Sequence, residues 1–409
     1  MVPDSSKSSY TSMFGGTELL TQPERLGTLR KQGKLIIGVP KESSLQETRV
    51  ALVPNSVRSL IGEGHKIIVQ RGAGIKSNYS DRDYSEAGAV LVDSNEEVFK
   101  TDVLIKIAPP SLDEIDLLHP GQILISPMQI PLITEEYVQR LRQKRVTAVA
   151  LEYLKAEDGS FPIVRVMSEI AGKSAMLTAA ELLSDQEHGR GALLGGISGV
   201  PPAKVVILGA GVVAEYAVRT ALGLGASIRV FDNNIYKIMR LQNQIGRQLH
   251  SSAINPVYLK YQLLSADVVI GAIHSKTGRT PMVVTEEMIA QMKNGSVIID
   301  ISIDQGGCFE TSRVTSHENP TFVKHGVIHY CVPNIASRVP RTASVAFSNI
   351  ITPILLKAGS TGSVENLLFV HHGIRHGVYT YKGCLTNEYL SKRFGIKYTD
   401  LNLLMASNL

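Results

Sequence analysis

An apolar run, Lys204-Val-Val-Ile-Leu208, passes directly into Gly209-Ala210-Gly211-Val212-Val213-Ala214 and on into a helix-forming stretch. A strand that turns into a helix over G-x-G-x-x-A leaves few folds open, because each small residue removes one obstacle. Gly209 allows the tight turn, Gly211 clears the side chain where a pyrophosphate approaches the backbone, and Ala214 lets the helix lie close to the strand. The free N–H groups and the positive dipole end of the helix then face the phosphates. A second requirement is met downstream, where the next apolar run, Ser227–Phe231, ends on the acid Asp232. A carboxylate there accepts hydrogen bonds from the two ribose hydroxyls and repels a 2′-phosphate, which selects NAD over NADP. The competing reading is a tight strand–helix turn with Asp232 capping the next helix. It explains the residues singly but not their joint order.

The chain is longer than one ordinary core, 409 residues, so two domains are expected. Its net charge of +5 comes from 42 basic and 37 acidic residues with no Lys/Arg block, which argues against a nucleic-acid partner. Cys308, Cys331 and Cys384 show no paired spacing and fit a reducing, cytoplasmic setting. The Ser/Thr-rich segment Met1 to Gly16 lacks the apolar core of a signal peptide, and no apolar run is long enough to span a bilayer, so no membrane association is expected.

From Leu35 onward, short apolar runs alternate with amphipathic ones. Strands are expected at Leu35–Val39, Lys66–Val69, Val103–Ile107, Ile123–Ile125 and Ala148–Leu151, with helices such as Asn55–Glu63 and Thr134–Gln143 between them. Alternation of this kind builds βαβ units and a mainly parallel sheet. Met167 to Leu183 carries small and apolar residues on most faces, as a helix buried between two domains would. After the glycine-rich connector 189–199 a second set of strands follows at Lys204–Leu208, Ser227–Phe231, Asp267–Ile273, Ser296–Ser302 and Val327–Val332. Ala343 to Leu356 reads as a second long apolar helix returning the chain to the first domain, and the segment after Gly359 reads as loop-rich.

Ligands of an open parallel sheet bind beyond the carboxyl ends of its strands. By that rule His274, the Asp304-Gln305-Gly306-Gly307 turn and Asn334 share a crevice with Gly209. Asp304 is either a carboxylate brought close to a substrate or the start of an Asx turn, and spacing alone does not separate the two. In the first half, Lys106 in Val103-Leu-Ile-Lys-Ile107 either snorkels to solvent or holds an anion or carbonyl. Arg49 forms either a bidentate clamp on a small carboxylate or an exterior ion pair. His371, His372 and His376 lack a Cys or carboxylate partner at ligand spacing and read as surface loop, with no metal expected.

Taken together, these stretches resemble the alanine dehydrogenase family, which includes the NAD-binding domain of proton-translocating transhydrogenase. The resemblance runs from about Leu35 to about Lys357. It is carried by Gly38-Val-Pro-Lys-Glu42, Thr48-Arg-Val-Ala-Leu52, Gly72-Ala-Gly74, Ser80-Asp81 with Asp83-Tyr84, and Met167-Ser-Glu-Ile-Ala-Gly172. Further matches are Gly195 to Pro201, the Gly209 turn, Asp300-Ile-Ser-Ile-Asp-Gln-Gly-Gly-Cys-Phe-Glu310, Asn319-Pro-Thr-Phe322, and Asn334 ahead of Val339-Pro-Arg-Thr342.

The resemblance implies an α/β chain of two Rossmann-like, doubly wound domains, with the NAD-binding one inserted between two parts of the other. The implied layout is an N-terminal extension at 1–33, a substrate domain at 34–165 and 342–409, and the NAD-binding domain at 166–341. It implies reversible NAD-dependent oxidation of L-alanine to pyruvate and ammonia, with a small 2-oxo or 2-amino acid as substrate and a homo-oligomer, hexamer or dimer, as the assembly. Arg49 and Lys106 are implied to hold the carboxylate and carbonyl of pyruvate, and Asp304 to lie by the nicotinamide and handle protons and ammonia. Asn334 and Met167-Ser168 are implied to line the crevice. The cofactor contacts expected are Gly209, Ala210, Gly211, Val212, Val213, Asp232, Ser168, Ala272, Ile273, Ile303, Asp304 and Asn334.

One position departs from the pattern. The family places an acid/base histidine after a Gly-Gln-Ile-Leu strand; counting along Gly121-Gln-Ile-Leu-Ile-Ser-Pro-Met-Gln129 puts Gln129 there. Glutamine hydrogen-bonds a carbonyl but takes up no proton at physiological pH. The expected catalytic set is thus Lys106, Asp304 and Gln129, with Gln129 positioning rather than titrating. Two other readings stay open: a transhydrogenase-type NAD(H)-binding domain, and a redox-sensing NAD-binding protein without the acid/base.

Overall fold

The computed structural model describes residues 33–406 apart from 45, 131, 276 and 277. The extension expected at 1–33 therefore lies, but for its last residue, outside the described residues. Two sheets organise the rest. The first is built from β1 (Ile36–Val39), β2 (Lys66–Gln70), β3 (Val90–Val92), β4 (Val103–Ile105), β5 (Ile123–Ser126) and β6 (Thr147–Ala150). The chain then leaves for β7 (Lys204–Leu208), β8 (Ser227–Phe231), β9 (His250–Ser252), β10 (Val268–Gly271), β11 (Val297–Asp300), β12 (Thr321–Lys324) and β13 (Val327–Tyr330). It returns to the first sheet with β14 (Val378–Tyr381) and β15 (Cys384–Leu385).

The spatial orders are β15-β14-β6-β5-β4-β1-β2-β3 and β12-β13-β11-β10-β7-β8-β9. All pairings are parallel except those of β14 with β6 and β15, and of β12 with β13. Central strands such as Val205–Leu208 and Val268–Ile270 are wholly buried, as parallel strands covered on both faces must be. In each order the direction of progression reverses at one point, between β1 and β4 and between β7 and β10. Such switch points open a crevice at the strand carboxyl ends.

Two helices carry the chain between the sheets. The first, Pro162–Ser184, has proline in its first turn, where no hydrogen bond is lost, and begins five residues before the expected Met167. It lies against the helix Val212–Gly223 with Ala171, Ala175 and Ala179 in the shared core. A Cβ at Gly172 would stand 2.3 Å from the Val213 carbonyl oxygen, so the two helices approach this closely only over glycine. The second, Pro340–Ser360, packs back on the first helix and on the first sheet's core through Phe347, Ile351 and Leu355.

The segment after Gly359, expected to be loop-rich, instead forms four short helices and two strands. Val378–Tyr381 is buried at every position and extends the first sheet beyond β6. Its flanking Gly377 and Gly383 give the stretch the look of a turn, and only pairing with a strand more than 200 residues away makes it a strand. The expected strand Val103–Ile107 ends at Ile105. No helix among the described residues is long and apolar enough to cross a membrane.

Candidate active site

The two switch points face one another across a crevice of about 360 Å³. Its second-domain wall is lined by Val213, Ala272, Ile273 and Asp304, with the Gly209 turn packed against Ala272. Gly209 has φ +110°, and a Cβ there would sit 2.4 Å from the Ala272 carbonyl oxygen. Gly211 starts the helix Val212–Gly223, and a Cβ on it would meet nothing within 4 Å. The turn is thus closed on one side by β10 and open on the other, where a phosphate can approach the helix N-terminus.

The Asp232 carboxylate ties this turn down: Oδ2 accepts the Ala210 N–H at 2.8 Å and Oδ1 the Asn234 N–H at 2.7 Å. Each oxygen keeps a lone-pair direction for a ribose hydroxyl. The capping reading of Asp232 and the ribose reading are therefore compatible. The residues present fit a dinucleotide.

Of the expected cofactor contacts, Ser168, Val213, Ala272, Ile273, Asp304 and Asn334 line the crevice. Two are corrected. Ala210 has its side chain in the core and its N–H committed to Asp232. Ile303 is buried in a 3-10 turn, so its neighbours Ile301 and Ser302 line the crevice instead.

The opposite wall is built from side chains held by other side chains. Arg49 grips Glu47 with two prongs, Nε to Oε1 at 2.7 Å and Nη2 to Oε2 at 2.7 Å, while Nη1 lies 3.2 Å from the Met167 sulfur. Burial would raise the Glu47 carboxyl, but the Arg49 hydrogen bonds and charge outweigh it and hold the carboxyl low. Asn334, at φ +54°, donates its Nδ2 to Glu47 Oε2 at 2.9 Å and its backbone N–H to Asp304 Oδ1 at 2.9 Å. This one residue links the two walls. The Asp304 side chain opens to the crevice but is crowded by protein elsewhere. That desolvation raises its carboxyl, against the pull of the Asn334 N–H and the Arg49 charge.

Lys106 does not reach the crevice. It is fully buried, its Nζ 3.1 Å from Glu42 Oε2 and 3.3 Å from Glu114 Oε1. The Lys106 N–H still bonds the Ile125 carbonyl oxygen of β5 at 3.0 Å, and the next residue, Ile107, lines the crevice with its N–H on Glu42 Oε1 at 2.6 Å. Glu114 is itself fixed by its capping box with Ser111. Lys106 therefore clamps three segments together, and its expected contact with pyruvate is withdrawn.

Gln129 does line the crevice, at φ +50°. Its backbone N–H and that of Met128 donate to Glu152 Oε1 at 2.8 and 2.9 Å. Glu152 lines the same crevice and was missed in the sequence. The signal was there: an acid in the turn that follows the apolar strand β6, the rule that singled out Asp304. His274 also lines the crevice, its imidazole held below its usual range by burial.

The fold and this site define a two-domain α/β protein that holds a dinucleotide turn opposite an arginine-bearing wall. The description "Alanine dehydrogenase/PNT, N-terminal domain" matches residues 38–171, and "Alanine dehydrogenase/PNT, C-terminal domain" matches residues 175–388. The chain belongs to the alanine dehydrogenase/PNT family. It is 37% identical to "Alanine dehydrogenase" of Staphylococcus haemolyticus over 366 residues, 89% of this chain and 98% of that one. "Alanine dehydrogenase 2" of Staphylococcus aureus is 38% identical over the same shares. A solved "L-alanine dehydrogenase" superposes with TM-score 0.82 at 36% identity, covering 88% of this chain and 99% of that one. A transhydrogenase from Sinorhizobium meliloti shares the fold at TM-score 0.74 and 24% identity, over 87% and 99% of the two chains.

Proposed function

We propose that this chain is an NAD-dependent alanine dehydrogenase, interconverting L-alanine with pyruvate and ammonia. The observation that carries the reading is one small crevice lined by Arg49 on one wall and, on the other, by Ala272, which backs the Gly209 turn, and Val213, in the first turn of the helix that follows it. Bound NAD supplies the hydride acceptor. Arg49 binds the carboxylate of the three-carbon acid, and its grip on Glu47 fixes the direction of the fork before substrate arrives. Asp304, held by the Asn334 N–H at the cofactor wall, exchanges protons beside the nicotinamide. Gln129 donates its side-chain amide to the C2 oxygen and orients it. Gly209, Gly211, Val212, Val213 and Asp232 would hold the dinucleotide, together with Ser168, Ala272 and Ile273 of the crevice.

The three cysteines are free thiols, in keeping with a cytoplasmic setting. Exposed Leu193 and Ile197 in the glycine-rich connector, with exposed Val200 just after it and Leu177 on the preceding helix, suit a homo-oligomer. A coupled assay decides the activity: NADH should accumulate with NAD and L-alanine, and disappear with pyruvate and ammonium.

A second reading is favoured by one observation. Among the described residues lining the crevice, Arg49 is the only lysine or arginine, and Gln129 does not titrate. A protein that binds NAD(H) and reports redox state without turnover fits that inventory. Saturable NADH binding with no oxidation or amination would establish it.

A further inference from the structure

The wall that carries Gln129 is not without an acid. Glu152 follows β6 at the carboxyl end of the first sheet and lines the crevice. Its Oε1 accepts the Met128 and Gln129 N–H groups at 2.9 and 2.8 Å, and Oε2 takes a longer bond from Met128 at 3.1 Å. Among the described residues it forms no ion pair with a lysine or arginine, unlike Glu42, Glu47 and Glu114. Burial raises its carboxyl, while the amides pull the other way. The titratable groups packed around it are the phenols of Tyr137, Tyr379 and Tyr153, each pushed up by burial and, in lesser part, by the Glu152 charge. His376 reaches this cluster through the Tyr153 carbonyl. Across the cavity stand Arg49, His274 and Asp304.

We propose that Glu152 is the group that moves protons to and from the substrate nitrogen, a task the neutral amide of Gln129 cannot perform. This rests on the alanine dehydrogenase reading. In the oxidative direction the Glu152 carboxylate takes a proton from the substrate ammonium. The freed lone pair forms the C=N bond as the C2 hydrogen leaves with its electron pair for NAD. Water adds to the iminium carbon and gives its proton to Asp304, which releases it to solvent. The Glu152 acid returns its proton to the carbinolamine nitrogen, and the C–N bond breaks. The hydroxyl proton passes to the departing ammonia as ammonium, leaving the pyruvate carbonyl.

The test compares the full-length chain with E152Q and E152D. Glutamine keeps an acceptor for the Gln129 N–H but cannot titrate. E152Q should lose about 10²–10⁴-fold in kcat with NADH affinity unchanged, the range for loss of a general acid/base. The wild-type kcat/KM for alanine should rise with pH through a step above the ordinary carboxylate range; E152Q should lose that step and E152D should move it. If E152Q fails to fold, the E152D profile decides alone. A kcat within about 3-fold of wild type, or lost activity with the step unmoved, overturns the proposal and leaves Glu152 as a brace for the Gln129 turn. Absence of wild-type turnover overturns the alanine dehydrogenase reading and this role with it, whereas turnover insensitive to E152Q removes Glu152 alone.

Discussion

The two walls of the crevice are built on different principles. The cofactor wall is backed by a backbone turn: a positive-φ glycine, a helix N-terminus and a carboxylate that ties the turn to the next strand. The facing wall rests on charged side chains locked to one another: Arg49 on Glu47 at the crevice and, out of its reach, Lys106 between Glu42 and Glu114. A backbone site tolerates change in the surrounding side chains but not in the turn. A side-chain site depends on partners far off in sequence, so one substitution can rewire it.

That contrast can be broken most forcefully at Lys106. Lys106→Met strands two buried carboxylates and should destabilise the fold by about 3–5 kcal/mol, measured by chemical denaturation. Adding E42Q and E114Q should restore much of the loss, because the cost lies in unpaired buried charge rather than in a lost substrate contact. NADH affinity of the folded protein should not move.

Arg49→Lys keeps the charge but not the fork. The pyruvate KM should rise on the order of 100-fold, with NADH affinity unchanged, since an ammonium cannot bind Glu47 and a carboxylate in the same two-pronged manner. Gly209→Ala tests the other wall. A residue forced to positive φ against the Ala272 carbonyl costs about 1–3 kcal/mol, so the NADH Kd should rise about 10–100-fold, read by fluorescence titration. The smallest effect is expected at Asp232→Asn, which removes the repulsion of a 2′-phosphate. The preference for NAD over NADP should fall about 10-fold in paired kcat/KM measurements.

The same contrast governs how much was legible in the sequence. β7, its turn and β8 have the expected bounds, because glycine spacing and an apolar run are local signals. The place of Lys106 is not a local signal, because its ammonium is held by Glu42 and Glu114, carboxylates from two other segments. Ala210 and Ile303 were counted as cofactor contacts from their place in the chain, yet each turns into the core. Val378–Tyr381 was hidden by its glycine flanks until its pairing with β6 was seen. Glu152 obeys the strand-end rule, but its chain neighbours Leu151 and Tyr153 carry, as residue types, no sign of a ligand site. Insertion of the second sheet's strands between β6 and β14 follows the layout that the two long helices suggested.

The central claim is that hydride passes between C2 of alanine and a nicotinamide held in this crevice. Incubating the protein with NAD and L-alanine deuterated at C2, then analysing the nucleotide by mass spectrometry, tests it directly. The account predicts NADH carrying one deuterium, formed with a primary isotope effect, and no transfer in Arg49→Ala. Saturable NAD(H) binding with no deuterium in the nucleotide would contradict it.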